Sequence, residues 1–378
     1  MRRVIFWTHF VFGLTAGVFV LIMSVTGVIL AYERQMVAAA RDAAVIDIPG
    51  ADLLGVDALV DAAIAAGAES GNTLTLSRDR TAPAQLSRGR RDLVLLDPYT
   101  GLTLENTAHD MEAFFSRVEA IHRWLAFSGK RNETAAALND LANLVFGGLL
   151  LTGIVLWWPK AWRWPIVRAQ LFFRRGLTNA KARHYNWHHV LAAWTLLPLA
   201  AIVFSGIVFS YGWANNFVYA AFGEAPPQRG GPPAPAAVAE AVAELPTGSL
   251  QIVSYDVLLA QAVEGAKGWH RVSITLPEPG ARSVSMTVDR GNGVQAGKQR
   301  ALRLARDGSG PVATTVTATG SPASKARRFI RFLHTGEIFG LLGQTIAALA
   351  SVGAAVLVYT GLSLGIRRLI RMRKTAHA

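Results

Sequence analysis

The sequence predicts a mainly α-helical membrane protein, with four transmembrane helices in two repeated pairs and two small α+β domains outside the membrane. Hydrophobic residues make up 51% of the 378 residues, which is too apolar for an ordinary soluble domain. Four segments contain no Asp, Glu, Lys or Arg, namely 10–32, 141–158, 190–223 and 338–366. A transmembrane helix needs about 20 apolar residues, so each segment can cross a bilayer.

These segments divide the chain into the same unit twice: a span, an outer domain and a returning span. The predicted parts are helix 1 (1–32), outer domain 1 (33–136), helix 2 (137–158), a basic loop (159–187), helix 3 (188–223), outer domain 2 (224–337), helix 4 (338–366) and a tail (367–378). Outer domain 2 begins with a Pro/Gly-rich linker at 224–237, a composition typical of flexible segments. We expect Pro198 to bend helix 3.

The distribution of charge predicts the orientation of the spans. The net charge is +13, and the segments 2–3, 160–183 and 367–374 together hold 14 Lys or Arg and no Asp or Glu. Short basic segments mark the cytoplasmic face of a membrane, so both termini are expected inside and both outer domains outside. The excess positive charge therefore indicates the topology of the spans. We expect these basic segments to contact the lipid bilayer, and we expect no nucleic-acid partner.

Each outer domain shows one helical pattern followed by alternating segments typical of strands. The first has a predicted helix at 56–66, strands at 73–77 and 93–96, and a turn at 97–101; the second has a helix at 255–266, strands at 270–276 and 283–288, and a turn at 289–293.

Histidines recur in register with the spans. His9 lies 17 residues before Thr26-Gly27, and His188 lies 17 residues before Ser205-Gly206. His122 and His334 precede Thr152-Gly153 and Thr360-Gly361 by distances too long for one helix inside a bilayer, so breaks are expected at Ser128-Gly129 and Thr335-Gly336. We interpret the hydroxyl–Gly pairs as helix-packing positions.

Imidazoles at membrane depth are normally paired or functional. The spacing places His9 and His188 near one surface and His122 and His334 near the other, and two imidazoles facing each other are a natural axial pair for haem iron. The chain has no cysteine, which excludes disulfides, thiolate metal sites and covalent haem, so we predict two non-covalent b-type haems. The alternative is that these histidines cap helices or contact lipid headgroups.

Other histidines leave the choice of ligand open. His184 and His189 lie near His188 and can act as alternative ligands, bond a haem propionate or meet solvent. His109, His270 and His377 fall outside the pattern and are expected at the surface. Basic residues flank the outer histidines: Arg123, Lys130 and Arg131 follow His122, and Arg327, Arg328 and Arg331 precede His334. Guanidinium groups suit haem propionates, with Arg123 and Arg331 as the candidate contacts, although a solvated helix face near lipid headgroups explains these residues equally well.

Several motifs resemble those of the bacterial PepSY-associated transmembrane-helix proteins, in particular the inner-membrane ferric-siderophore reductases with two b haems. The stretches are 9–13 (His-Phe-Val-Phe-Gly), 121–125 (Ile-His-Arg-Trp-Leu), 187–192 (Trp-His-His-Val-Leu-Ala) and 333–340 (Leu-His-Thr-Gly-Glu-Ile-Phe-Gly). The turns at 97–101 and 289–293 resemble the signature of PepSY outer domains. The resemblance covers almost the whole chain.

This resemblance implies bis-histidine haem in the bacterial inner membrane and reduction of a ferric siderophore in the periplasm. Of the histidine doublet, the 17-residue spacing favours His188 as the ligand over His189. The sequence contains no dinucleotide or flavin motif, so a quinol or a reductase is expected to supply electrons. Two rival functions are a non-enzymatic role in binding peptides or regulating envelope proteases, and a siderophore or metal permease.

Overall fold

A computed structural model describes residues 1–45, 50–89, 92–227, 252–316 and 321–376. The chain forms two compact units. The first, here called the membrane unit, consists of Met1–Glu33, Phe114–Pro226 and Ala326–Ala378. The second, here called the sheet unit, consists of Arg34–Ala113 and Pro227–Lys325.

The helices and strands follow one another in two similar series. The helices are α1 (Arg2–Leu30), α2 (Glu33–Asp42), α3 (Val56–Ala65), α4 (His109–Trp124), α5 (Glu133–Trp157), α6 (Trp164–Leu171), α7 (Ala180–Ser210), α8 (Gly212–Ala220), α9 (Tyr255–Val263), α10 (Pro322–His334) and α11 (Gly340–Ala376). The strands are β1 (Thr73–Ser77), β2 (Ala84–Ser87), β3 (Leu93–Leu96), β4 (Thr103–Leu104), β5 (Arg271–Thr275), β6 (Ser283–Asp289), β7 (Gln299–Ala305) and β8 (Pro311–Val316).

Four helical segments in the described part of the chain are long and apolar enough to cross a membrane, which confirms the predicted number of spans. They are Arg2–Asp42, Glu133–Trp157, Ala180–Ser210 and Glu337–Thr375. In the membrane unit, α1 and α7 each pack against both α5 and α11. Val11, Val18 and Val25 are 50%, 57% and 46% exposed at intervals of seven residues, so α1 presents an apolar stripe outward, as a lipid-facing helix does.

The third span is shorter than the predicted segment 188–223. Helix α7 ends at Ser210, Tyr211 adopts an extended backbone, and the separate helix α8 begins at Gly212. Glycine has a low helix propensity, which favours a break at this position. Helix α7 continues through Pro198, and the bend expected there stays a prediction. Of the predicted linker 224–237, residues after Pro227 lie outside the described part of the chain.

The two predicted helix breaks before the second and fourth spans are confirmed. Helix α4 ends at Trp124, and Gly129 has a φ of 76° before α5 begins at Glu133. Helix α10 ends at His334, and Gly336 has a φ of 75°. A Cβ atom on Gly336 would lie 2.3 Å from the carbonyl oxygen of Gly343, so only glycine allows this close turn.

The outer segments do not form two separate domains, which corrects that part of the prediction. All eight strands form one antiparallel sheet in the order β4-β3-β2-β1-β5-β6-β7-β8. Strands β1 and β5 pair from Thr73 opposite Thr275 to Ser77 opposite Arg271, so each half-sheet covers the edge strand of the other. Unpaired sheet edges invite aggregation, and this pairing removes two of them.

The two halves of the sheet unit are related by a repeated helix start. The backbone N–H of Val56 donates to Asp256 Oδ1 at 2.8 Å, and the N–H of Tyr255 donates to Asp57 Oδ1 at 3.0 Å. Each of α3 and α9 therefore caps the N-terminus of the other. One core lies under both halves, and it includes the fully buried Leu74 of β1 and Ile274 of β5.

Candidate functional site: two paired histidines in the membrane unit

One histidine pair joins α1 to α7. The ring centres of His9 and His188 are 6.5 Å apart, and their planes are nearly perpendicular at 88°. A second pair joins α4 to α10, where the ring centres of His122 and His334 are 6.4 Å apart with an angle of 68°. The four histidines that the sequence repeat singled out are thus brought together two by two. We call them the α1–α7 pair and the α4–α10 pair.

The separation of the rings within each pair fits one shared metal ion. A metal–imidazole bond is about 2.0 Å long and the nitrogen lies about 1.1 Å from its ring centre, so two rings on opposite sides of one metal have centres about 6.2 Å apart. The observed 6.4 and 6.5 Å lie close to this value.

Each histidine is held by a hydroxyl group on a neighbouring helix. The Nδ1 atoms bond as follows: His9 to Thr152 Oγ1 at 2.9 Å, His188 to Thr360 Oγ1 at 3.0 Å, His122 to Thr26 Oγ1 at 2.8 Å and His334 to Ser205 Oγ at 2.9 Å. These hydroxyls belong to the hydroxyl–Gly pairs. Their interpretation as packing positions alone is therefore incomplete, because they also orient the imidazoles.

The acceptors beside Nδ1 indicate which ring nitrogen carries the proton. Each hydroxyl donates its single hydrogen to the backbone carbonyl four residues earlier, at 2.6 Å for Thr26, 2.7 Å for Thr152, 2.8 Å for Thr360 and 2.5 Å for Ser205. A hydroxyl that donates in this way accepts from the histidine. Backbone carbonyls, which can only accept, also bond these rings: Ile202 O lies 2.9 Å from His334 Nδ1, and the carbonyls of Leu149, Met23 and Leu357 bond His9, His122 and His188, so the proton is placed on Nδ1. The Nε2 lone pair is then available in all four rings, as ligation of a metal through Nε2 requires.

Glycines beside three of the hydroxyls make room for the imidazoles. A Cβ atom would lie 3.5 Å from His122 Cε1 if built on Gly27, 3.6 Å from His9 Cε1 on Gly153 and 3.3 Å from His188 Cε1 on Gly361. Larger side chains at these positions would push against the rings. Gly206 differs, since its nearest side chain is that of Asn143.

Each of α1 and α7 contributes to both pairs. Helix α1 carries His9 of one pair and Thr26, which holds His122 of the other. Helix α7 likewise carries His188 and, 17 residues later, Ser205, which holds His334. Seventeen residues of α-helix rise about 25 Å, so the repeated interval sets the separation of the two pairs along the helices.

The remaining histidines have other contacts. His184 is buried, and its Nδ1 lies 2.8 Å from Ser363 Oγ. His189 donates from Nδ1 to the carbonyl of Tyr185 at 3.0 Å, and its ring lies 6.4 Å from that of His188. Within the doublet, the structure therefore pairs His188 with His9, while His189 lies beside the pair. His109 and His270 are exposed, and His377 lies outside the described residues.

The two arginines predicted to bind propionates are exposed. Arg123 forms an ion pair with Glu119 at 2.8 Å, and its guanidinium stacks over Trp124. Arg331 lies over the ring of Phe332. Their role with a cofactor stays a prediction. Sequence reasoning missed Asn139, which is buried and donates from Nδ2 to the carbonyl of His122 at 2.9 Å; no spacing in the sequence linked it to that histidine.

No group of three or more His, Cys, Asp or Glu in the described part of the chain is placed to hold a metal ion by itself. The histidines occur as pairs, which suits a metal whose other ligands come from a macrocycle. The residues present therefore fit haem.

Fold and site together define a four-span membrane protein with two histidine pairs between its helices and an antiparallel sheet unit. The sequence model of the PepSY-associated TM region matches residues 6–368. The chain belongs to this family, and the family resemblance inferred from its motifs is confirmed. No curated protein matches the chain.

Proposed function

We propose that the protein is an inner-membrane reductase with two non-covalent b-type haems, which passes electrons across the membrane to a ferric siderophore and releases Fe(II). The observation that carries this proposal is the spacing of the two histidine pairs, 6.5 and 6.4 Å between ring centres, with Nδ1 of every ring bonded to a hydroxyl group so that Nε2 can serve as the ligand. A bis-histidine haem, when bound, supplies reversible one-electron chemistry between Fe(III) and Fe(II).

The residues of this chain supply ligation, orientation and burial. His9 and His188 would hold one haem, and His122 and His334 the other. Bonds from Nδ1–H to the hydroxyl groups raise the basicity of the ligands and fix the orientation of the rings. With no cysteine in the chain, both cofactors would be held without covalent attachment.

The charge distribution supports the proposed direction of electron flow, from the cytoplasmic side to the periplasmic side. The basic segments 2–3, 160–183 and 367–374 support a cytoplasmic location for both termini. The α1–α7 pair then lies toward the cytoplasm, because His9 and His188 lie near the cytoplasmic starts of their helices. In a bacterial inner membrane, the sheet unit and the α4–α10 pair lie on the periplasmic side.

The proposed substrate is a ferric chelate. One electron converts Fe(III) to Fe(II), and the hard oxygen ligands of a siderophore bind Fe(II) less tightly, so the iron is released. The electron must come from a partner, a quinol or a reductase, which loses one electron for each iron reduced. Arg123 and Arg331 stay proposed contacts for haem propionates.

A second candidate function, peptide binding without a cofactor, has one observation in its favour. The sheet unit contains a cavity of about 250 Å³ whose polar lining includes Asp42, Asp79 and Arg271. Side chains of both charges suit a peptide. A permease is less well supported, because the central parts of the four spans carry no Asp, Glu, Lys or Arg.

The visible spectrum of the purified full-length protein separates these functions. A di-haem protein shows a sharp spectrum on reduction and two haems per chain, whereas the rival functions predict a colourless protein. His122→Ala should remove one haem and His9→Ala the other, while His109→Ala, an exposed histidine outside both pairs, should remove neither. Full haem content in both His122→Ala and His9→Ala would refute the assignment.

A further inference from the structure

Helix α10 carries a basic face that leads to the α4–α10 histidine pair. Its 13 residues include Arg327, Arg328 and Arg331 and no Asp or Glu. Arg327 lies seven residues before His334, which is two helical turns, so both side chains lie on the same face of the helix. Arg331 is exposed, but Arg327 is only partly exposed.

The guanidinium of Arg327 is fixed by two contacts within the membrane unit. Its Nε donates to Asn215 Oδ1 at 2.9 Å, and its Cζ lies 4.5 Å from the ring centre of Phe209. The ring of Phe209 in turn lies 5.3 Å from that of His334. One phenyl ring therefore contacts both the arginine and the histidine of the α4–α10 pair.

Arg327 has no anionic partner among the described residues. None of the ion pairs formed by residues 1–45, 50–89, 92–227, 252–316 and 321–376 includes it. Burial lowers the pKa of Arg327, but an arginine stays protonated in proteins. Because Nε is already bonded to Asn215, the two terminal nitrogens present a fork of N–H donors, the arrangement that binds a carboxylate in a bidentate way.

We propose that Arg327 binds a propionate carboxylate of the haem held by His122 and His334, with Asn215 and Phe209 orienting the guanidinium. This inference rests on the proposed function. A partly buried cation without a counter-charge is unfavourable, and the propionates are the anionic groups of haem. Arg123 already has a carboxylate partner in Glu119 and Arg331 is exposed to solvent, so the geometry favours Arg327 over both.

The test compares haem and haem dimethyl ester, which lacks the propionate charges, in the full-length protein. All samples carry His9→Ala, so that only the α4–α10 pair binds haem, and the rate of haem loss to excess apomyoglobin is measured. Arg327→Gln should release haem about tenfold faster or more. Lys325→Gln, an exposed cation on the same helix, should release it at the unsubstituted rate. With the dimethyl ester, Arg327→Gln should change nothing.

Each other outcome overturns the inference. Equal loss rates for Arg327→Gln and the unsubstituted protein with ordinary haem exclude a propionate contact. A difference that persists with the dimethyl ester points instead to a lipid phosphate or to a structural role. If Arg327→Gln does not fold, the protein that keeps Arg327 provides the test by itself. It should release haem dimethyl ester about tenfold faster than haem, and equal release rates would overturn the inference. Absence of any haem from the unsubstituted protein overturns the proposed function as well.

Discussion

Removal of one hydroxyl group tests whether the bonds to Nδ1 matter for the cofactor. Thr26→Val keeps the shape of a side chain that is only 8% exposed, but it removes the oxygen that lies 2.8 Å from His122 Nδ1. Loss of a bond that orients a metal ligand lowers affinity about 10–100-fold, or about 1.4–2.7 kcal/mol. The backbone carbonyl of Met23 also accepts from His122, so the donor keeps one acceptor and we expect the lower part of this range.

The same change should raise the midpoint potential of one haem. Donation from Nδ1–H places electron density on Nε2, which stabilises Fe(III), so loss of the acceptor favours the reduced state. We expect faster haem loss and a higher potential for one of two haems, measured by transfer to apomyoglobin and by a redox titration followed in the visible spectrum.

Thr15→Val is the matched control on the same helix. The hydroxyl of Thr15 is exposed and bonds the backbone carbonyls of Val11 and Phe12, with no bond to a histidine. This variant should behave as the unsubstituted protein does. If Thr26→Val and Thr15→Val show the same haem loss and the same potentials, the hydroxyl does not hold a haem ligand and the argument from the tautomer is refuted.

Two further predictions concern the α1–α7 pair and the sheet unit. Gly361→Val should displace the ring that lies 3.3 Å from its Cβ position and remove one haem, whereas Gly212→Val, with no neighbour within 4 Å, should keep both haems; equal haem content would contradict this. Asp57→Ala should lower the stability of the sheet unit by about 0.5–2 kcal/mol through loss of a helix cap, as measured by thermal unfolding, and the exposed Asp61→Ala should not.

Much of the membrane unit follows from local properties of the sequence. The four spans are identified by apolar segments long enough to cross a bilayer. The repeated 17-residue interval identifies His9 and His188 from the sequence alone. The breaks at Gly129 and Gly336 follow from the same arithmetic of helix length. The end of α7 at Ser210 was missed, because the apolar run continues through Gly212 into α8 and hydropathy alone does not register a change of backbone direction.

The contacts that complete the site depend on which helices become neighbours, and one helix does not reveal that. Thr26 follows His9 in the sequence, yet it holds His122 from another helix. The pairing of β1 with β5 is likewise a long-range contact, so two domains were predicted where one sheet forms. Strand β7 could have been found, since Leu302 and Leu304 alternate with Arg303 in a period typical of strands.

His9 and Thr26 lie on the same continuous helix, α1, so an insertion or deletion between them changes their relative positions. One extra residue between them would turn everything beyond it by about 100° and advance it by about 1.5 Å. The threonine would then point away from its imidazole at the far end, while the near end stayed intact. Such an insertion within α1 would disturb the α4–α10 histidine pair alone, and it would show that this one helix fixes the positions of both pairs.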